Sequence, residues 1–185
     1  IMAGTGVAAQ HGILIKDAQA LELAHQVDTI AFDKTGTLTE GHPRLTLVEG
    51  VPGVDEVAVL KAAAALQAQS AHPLARAVLD AAHERGVVAD VAQDVQAVAG
   101  RGTTGTVQGA RLALGSLRWM DELGVPGLPL ASALQGAQAQ GATVSLLASQ
   151  GADGRWSALA LLAFGDEPKA GAADAIATLR AQGLR

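Results

Sequence analysis

The sequence predicts a chain of class α/β plus α+β, in which an antiparallel α+β module is inserted into an incomplete parallel α/β domain. The β-branched and apolar residues 29–32 indicate a short buried strand that ends at Asp33. After Gly41 the pattern changes to short β-like runs at hairpin spacing between Ala-rich helical segments, which is typical of an antiparallel α+β module. Residues 165–169 break that pattern before one more helical segment. We therefore expect one domain to be interrupted by another.

The predicted elements follow in order along the chain. Residues 13–15 indicate a short strand, and Asp17 is placed to cap a helix that runs through Leu21 and Leu23. Within the inserted module, strands are expected at 44–48, 95–99, 103–107, 111–114, 143–148 and 157–164. Helices are expected at 54–69, 74–85, 117–123 and 130–140, and a last one at 172–181.

Composition limits the class of protein. At 185 residues the chain can form one large domain or two small ones. Hydrophobic residues make up 49% but aromatic residues only 2%, so we expect a core of Ala, Val, Leu and Ile. The net charge of −5 gives no support for binding to nucleic acid or anionic membranes. The absence of Cys excludes disulfides and thiolate metal sites, and no apolar run approaches the roughly 18 residues of a membrane span, so we expect these residues to be soluble.

The segment richest in chemistry follows the strand at 29–32 and is Asp33-Lys34-Thr35-Gly36-Thr37-Leu38-Thr39. Asp33 falls at the carboxyl end of the strand, where open α/β sheets place their ligands. Gly36 lets the main chain turn sharply, and the hydroxyls and N–H groups around it can hold a phosphoryl oxygen. A carboxylate can accept a phosphoryl group as an aspartyl-phosphate. The segment therefore predicts Asp33 as a nucleophile.

This run resembles the phosphorylation signature of the P-type ATPases, a branch of the haloacid dehalogenase-like phosphotransferases. The resemblance implies that ATP phosphorylates Asp33 and that Asp33 and the main-chain carbonyl of Thr35 hold Mg²⁺. It also implies that Thr37 helps to bind the phosphoryl group, and it includes Lys34 among the catalytic residues. ATP and Mg²⁺ are therefore the expected cofactors.

A second motif narrows the resemblance to the heavy-metal branch of that family. Ser70-Ala71-His72-Pro73 resembles the Ser-x-His-Pro motif of metal-transporting P-type ATPases, which implies that His72 helps to position ATP. Gly100 and Gly102, followed by Gly115, resemble the family's Gly-x-Gly and later Gly-Asn. Glycine lets an adenine ring or a phosphate lie against the main chain.

Two residues depart from the family's pattern. Gln67 stands where the family usually has a Glu that bonds the adenine amino group, and Ser116 replaces the Asn of Gly-Asn. A Gln carbonyl oxygen can accept the same bond without charge assistance, so we expect about 1 kcal/mol of that interaction to be lost. Gln67, His72, Gly100, Gly102 and Gly115 are the predicted nucleotide-binding residues.

The resemblance also assigns the domains. Residues 1–40 are expected to be the first part of a phosphorylation domain, 41–164 a nucleotide-binding domain, and 165–185 the start of the second part of the phosphorylation domain. Asp166 and Lys169 match the family's return to that domain, although a solvated salt bridge between them is an equal alternative. The family's later Thr-Gly-Asp, neutralising Lys and Mg²⁺-binding Gly-Asp-Gly-x-Asn-Asp loop do not occur.

The sequence thus favours a cytosolic ATP-binding fragment of an integral membrane ATPase that transports a heavy metal, with copper as the expected ion. Its expected partners are ATP and the remaining membrane, actuator and phosphorylation domains of the same polypeptide. Two alternatives stay open. A soluble haloacid dehalogenase-like phosphatase would normally carry an acid/base Asp two residues after the nucleophile, where Thr35 stands. A nucleotide-binding module without chemistry is a fair operational description of the isolated chain.

Overall fold

The computed structural model describes residues 2–15, 17, 19, 23–126 and 129–185, with 2–5 and 35 described by their main chain only. The chain divides into two compact units. The smaller unit is Ile1–Leu38 with Pro168–Arg185, and the larger unit is Thr39–Glu167.

The elements of the described residues are these, in chain order: α1 (Met2–Gln10), a π-helical turn (Lys34–Leu38), β1 (Thr39–Gly50), α2 (Glu56–Gln67), α3 (Pro73–Glu84), β2 (Ala92–Val98), β3 (Gly102–Val107), β4 (Ala110–Ser116), α4 (Leu117–Glu122), α5 (Ala131–Ala139), β5 (Thr143–Gln150), β6 (Trp156–Pro168) and α6 (Ala172–Ala181).

The larger unit is built on one six-stranded sheet with the order β1-β6-β5-β4-β3-β2. The pairs from β2 to β6 are antiparallel, with Leu114 opposite Leu147 and Leu146 opposite Leu161 at the centre. Gln108 and Gly109 join β3 to β4, and both have positive φ, as a tight hairpin turn requires. The predicted six-stranded antiparallel sheet, with 44–48 and 143–148 in the same sheet, is confirmed.

Both faces of the sheet are buried, which explains the continuous apolar runs in its central strands. Leu112, Leu114, Leu147 and Leu162 pack on one face against α2 and α3. Ala113, Leu146, Leu161 and Ala163 pack on the other face with residues of α4 and α5, including Trp119 and Met120. The expected core of Ala, Val and Leu is thus found, but it contains no Ile among the described residues and is completed by Trp119, Met120 and Phe164.

The outer ends of β1 and β6 extend further than the sequence predicts. The sequence predicts strands at 44–48 and 157–164. In the structure, β1 begins earlier, at Thr39, and β6 ends later, at Pro168. Asp166 explains the extension, because its carboxylate accepts hydrogen bonds from Thr39 Oγ1 (2.5 Å) and Gly41 N (3.1 Å). A side chain from β6 thus stabilises the first residues of β1.

The smaller unit holds its described residues together with few buried contacts. No described side chain in it is buried, and Leu14 is 80% exposed. The strands predicted at 13–15 and 29–32 are wrong as regular strands. Ile30 N donates to Arg185 O (2.8 Å) and Arg185 N to Asp28 O (2.9 Å), which is the bonding pattern of a parallel pair. In the described part of the chain, Arg185 is the one residue that pairs with 28–30 in this way, so no strand is sustained there.

Two of the predicted helices fall within the smaller unit. Asp17 Oδ1 accepts from Gln19 N (2.9 Å), as an N-cap does, while most of the helix predicted through Leu21 and Leu23 lies outside the described residues. The helix predicted at 172–181 is confirmed as α6. None of the described helices is both long and apolar enough to cross a membrane.

We expect Leu147→Ala to lower the free energy of unfolding by about 2–5 kcal/mol, because it leaves a cavity in a fully buried site at the centre of the sheet. Val88→Ala is the matched control, since Val88 is 81% exposed and its truncation should change stability by less than about 0.5 kcal/mol. Urea unfolding measures both. Equal losses in the two variants would contradict this account of the core.

Candidate functional site

The larger unit contains a cleft of about 410 Å³ on which several elements converge. The end of α2, the start of α3, the β2–β3 turn, the end of β4 and the start of β5 all contribute to its walls. All of the residues predicted to bind nucleotide line it, namely Gln67, His72, Gly100, Gly102 and Gly115. Its volume falls within the range of about 300–1,000 Å³ that is typical of small-molecule sites.

The lining combines apolar surface with polar groups that carry little charge. Leu74, Val78, Val98, Leu114 and Phe164 are among the residues that supply the apolar surface. The polar side chains are Gln67, Ser70, His72, Arg101, Thr103, Ser116, Thr143 and Ser145. Among the described residues that line the cleft, none is Asp or Glu. An anionic ligand therefore meets no carboxylate in this wall.

The turn between α2 and α3 explains the Ser-x-His-Pro sequence. Ser70 Oγ accepts from His72 N (3.3 Å), and His72 Nδ1 accepts from Leu74 N (3.2 Å), so His72 is the N-cap of α3. Pro73 occupies the first helical position, where its missing N–H costs nothing. Because Nδ1 accepts a hydrogen bond, the neutral ring carries its proton on Nε2, which can donate to a ligand.

Gly102 and Gly115 are required by the packing of the sheet itself. They are opposite each other on β3 and β4. A Cβ on Gly102 would lie 2.6 Å from Gly115 Cα and 2.9 Å from Trp119 Cζ3. A Cβ on Gly115 would meet the Arg101 carbonyl and the same ring. A substitution here would displace the strands, so loss of binding in such a variant would not by itself identify a ligand contact.

Gly100 has a different requirement. Its φ of +68° lies in the left-handed region, and a Cβ would find open space. Its conformation rather than close packing therefore favours glycine in the β2–β3 turn.

Sequence reasoning missed the charged side chains that hold this turn. Arg101 Nε donates to Glu122 Oε2 (2.5 Å), and Arg118 Nε lies 3.4 Å from Glu122 Oε1. The Arg101 carbonyl accepts from Ser116 N (2.9 Å), and Ser116 in turn caps α4 through Trp119 N. The hydrogen bond from Arg101 lowers the pKa of the Glu122 carboxyl below its ordinary value, and the charges of Arg101 and Arg118 add to that effect. No motif links residues 21 positions apart, so the sequence carries no signal for this pair.

We expect Arg101→Gln to raise the pKa of Glu122 towards its ordinary value, and Arg118→Gln to raise it less, because the Arg101 hydrogen bond is the largest cause of the shift. Because the pKa of Glu122 is lowered in the folded state, its ion pairs stabilise that state at a pH above the ordinary pKa of a Glu carboxyl. This stabilisation is lost as the pH falls through the lowered pKa. NMR titration of the Glu122 carboxyl carbon measures the shift. An equal rise in both variants would show that Arg101 has no special part.

The Asp33 segment lies in the smaller unit, where its main chain is held by Lys169. Asp33 is exposed, and residues 34–38 form the π-helical turn. Lys169 Nζ donates to Gly36 O (2.6 Å), and Lys169 N donates to Leu38 O (2.9 Å). Lys34 and Thr37 are also exposed. Lys169 therefore orders the turn that follows the candidate nucleophile, while the carboxylate of Asp166 bonds β1 of the larger unit.

The predicted Mg²⁺ donors are of the right chemical type, but they are too few to complete a metal site. The Asp33 carboxylate and the Thr35 carbonyl are hard oxygen donors of the type that Mg²⁺ prefers. The described ranges contain no cluster of three or more His, Cys, Asp or Glu side chains that could hold a metal ion. These residues do not form a complete metal site by themselves.

Comparison with known protein families gives one clear match. The model of the haloacid dehalogenase-like hydrolase family matches residues 27–185. Among curated proteins, the chain is similar to a copper-exporting P-type ATPase of Legionella pneumophila, with 40% identity over 184 residues. That comparison covers all of this chain but 24% of the relative, so the chain spans about a quarter of the relative's length.

Solved structures agree with the fold. A zinc-transporting PIB-type ATPase in its E2.Pi state matches with a TM-score of 0.74 and 34% identity, over 100% of this chain and 29% of that one. The catalytic domain of the CPx-ATPase CopB-B, in a structure concerned with nucleotide binding, matches with a TM-score of 0.63 and 25% identity, over 93% of this chain and 56% of that one. The resemblance to heavy-metal P-type ATPases and the predicted fold class are thus confirmed.

Proposed function

We propose that this chain, which belongs to the haloacid dehalogenase-like hydrolase family, is the ATP-binding segment of a heavy-metal-transporting P-type ATPase. The observation that carries the proposal is the cleft, on which Gln67, His72 and the Gly100–Gly102 turn converge. In the proposed complex the adenine ring lies between the apolar residues of the cleft. Nε2–H of His72 and the main-chain groups of the glycine turn then face the polar parts of the nucleotide.

Asp33 is the proposed phosphoryl acceptor. One of its carboxylate oxygens attacks the γ-phosphorus of ATP, the bond from that phosphorus to the β–γ bridging oxygen breaks, and ADP leaves with the electron pair. Thr37 and the N–H groups of the turn would hold the transferred group, and Lys169 keeps that turn in place through Gly36 O. Mg²⁺, for which Asp33 and the Thr35 carbonyl are this chain's proposed donors, supplies positive charge when bound.

The transport function is proposed for the longer polypeptide. Because this chain spans only part of its relatives, the metal, the membrane and the partner domains are inferred from them. The relatives' names include copper and zinc, and we propose copper because the curated relative described above is a copper exporter. The division into 1–40, 41–164 and 165–185 is proposed in the same way, with the fragment on the cytoplasmic face of the membrane.

We expect His72→Ala to weaken ATP binding about tenfold and to lower stability by about 0.5–2 kcal/mol, because it removes both a ligand contact and a helix cap. His72→Asn should retain the stability, since Asn is a good N-cap, and should still lose the affinity. Calorimetric titration and thermal unfolding measure the two effects.

Asp55→Ala is the control for the loss of a cap. Asp55 caps α2 through Ala58 N (3.0 Å) and does not line the cleft, so its removal should lower stability and leave ATP affinity unchanged. Wild-type affinity in His72→Asn would refute the role of the ring.

We expect this chain alone to bind ATP without appreciable turnover or an acid-stable phosphoenzyme. Each missing stabilising group for the phosphoryl charge is worth a factor of roughly 10² to 10³ in rate, and the sequence has neither the family's neutralising Lys nor its Mg²⁺-binding loop. Extension through those motifs should allow labelling from γ-labelled ATP, and Asp33→Asn should abolish it. Robust hydrolysis by these 185 residues that requires Asp33 would favour the phosphatase alternative.

A further inference from the structure

Gln67 is a polar residue that the structure places, largely buried, in the wall of the cleft. It is the last residue of α2 and is 9% exposed. Its main-chain carbonyl accepts from Ser70 N (3.0 Å), which fixes the main chain at this point. Its carboxamide makes no hydrogen bond to another described residue. The amide donor and acceptor are therefore both available to a ligand.

None of the other polar side chains that line the cleft among the described residues is purely an acceptor. The hydroxyls of Ser70, Thr103 and Ser145 can each donate or accept after rotation. The side chains of fixed polarity are donors, namely the Arg101 guanidinium and the Nε2–H of His72. With no Asp or Glu among the described lining residues, the cleft lacks an acceptor-only side chain.

An acceptor-only side chain opposite position 6 of the base would separate the two classes of purine. Adenine presents an amino donor at position 6 and an acceptor at N1, whereas hypoxanthine and guanine present a carbonyl acceptor at O6 and a donor at N1. A carboxylate held opposite position 6 accepts a hydrogen bond from the adenine amino group and is repelled by O6 of a 6-oxopurine. A carboxamide pairs with either edge, because a half-turn about its terminal torsion exchanges oxygen and nitrogen, and that torsion is broad and roughly two-fold.

We propose that the base pocket accepts 6-oxopurine nucleoside triphosphates as well as ATP, and that Gln67, lying opposite position 6 of the base, pairs with either purine edge by turning its carboxamide. This inference rests on the nucleotide-binding function proposed for the cleft and specifies the class of nucleotide that it takes. Gln67 is then the residue that sets purine specificity.

The test compares ATP with ITP, because the hypoxanthine base differs from adenine only at the 1 and 6 positions. Calorimetric titration of the 185-residue chain should give dissociation constants within about tenfold of each other. Gln67→Glu should strengthen ATP binding and weaken ITP binding, so that the ratio of the two constants rises by more than about tenfold. Gln67→Leu, which keeps similar bulk without polar atoms, should weaken both nucleotides and leave their ratio unchanged.

The outcomes separate this inference from the function on which it rests. If ATP binds and ITP is more than about 100-fold weaker, the specificity inference is overturned and the nucleotide site stands. An unchanged ratio in Gln67→Glu would overturn it equally, since the side chain would then not read the base. Failure of both triphosphates to bind at a saturable site would overturn the proposed function itself.

Discussion

The close approach of β3 and β4 at Gly102 and Gly115 is the constraint on which the cleft depends. The two glycines are opposite each other, and the ring of Trp119 fills the space on the side where their Cβ atoms would lie. This packing joins the cleft wall to the second face of the core, which includes Trp119 and Leu146. Because close-packed interiors transmit strain, even one added methyl group at either glycine should move the wall and the core together.

In the proposed complex, one residue would serve both the fold and the ligand. His72 uses Nδ1 to cap α3 and leaves Nε2–H for the cleft, so the helix itself selects the tautomer that can donate. Ser116 similarly caps α4 while its N–H takes the Arg101 carbonyl. Caps fix side chains on rigid elements, and such pre-organisation lowers the entropic cost of binding a ligand.

Much of the larger unit could be predicted from the sequence because its signals are local. Short apolar runs such as 143–148 and Ala-rich runs such as 54–69 correspond closely to β5 and α2, and the motif spacing correctly places Gln67 and His72 in one cleft. The contacts that were missed join distant residues. Asp166 extends β1 through Thr39, and Glu122 holds Arg101, and neither pair leaves a periodic or motif-like trace. The strand predicted at 29–32 failed for a related reason, since a strand depends on partners and the local pattern cannot show them.

The cleft and the proposed phosphoryl acceptor Asp33 lie in units of unequal burial. The cleft belongs to a unit with a sheet buried on both faces, whereas the described residues of the smaller unit, which contains Asp33, include no buried side chain. Local stability follows buried apolar contacts, so the wall of the cleft should persist through fluctuations that open the Asp33 turn. Lys169 partly offsets this difference, because it donates hydrogen bonds to the main-chain carbonyls of Gly36 and Leu38. Neither bond orients the carboxylate of Asp33. The proposed phosphoryl transfer would therefore require other groups to orient that carboxylate.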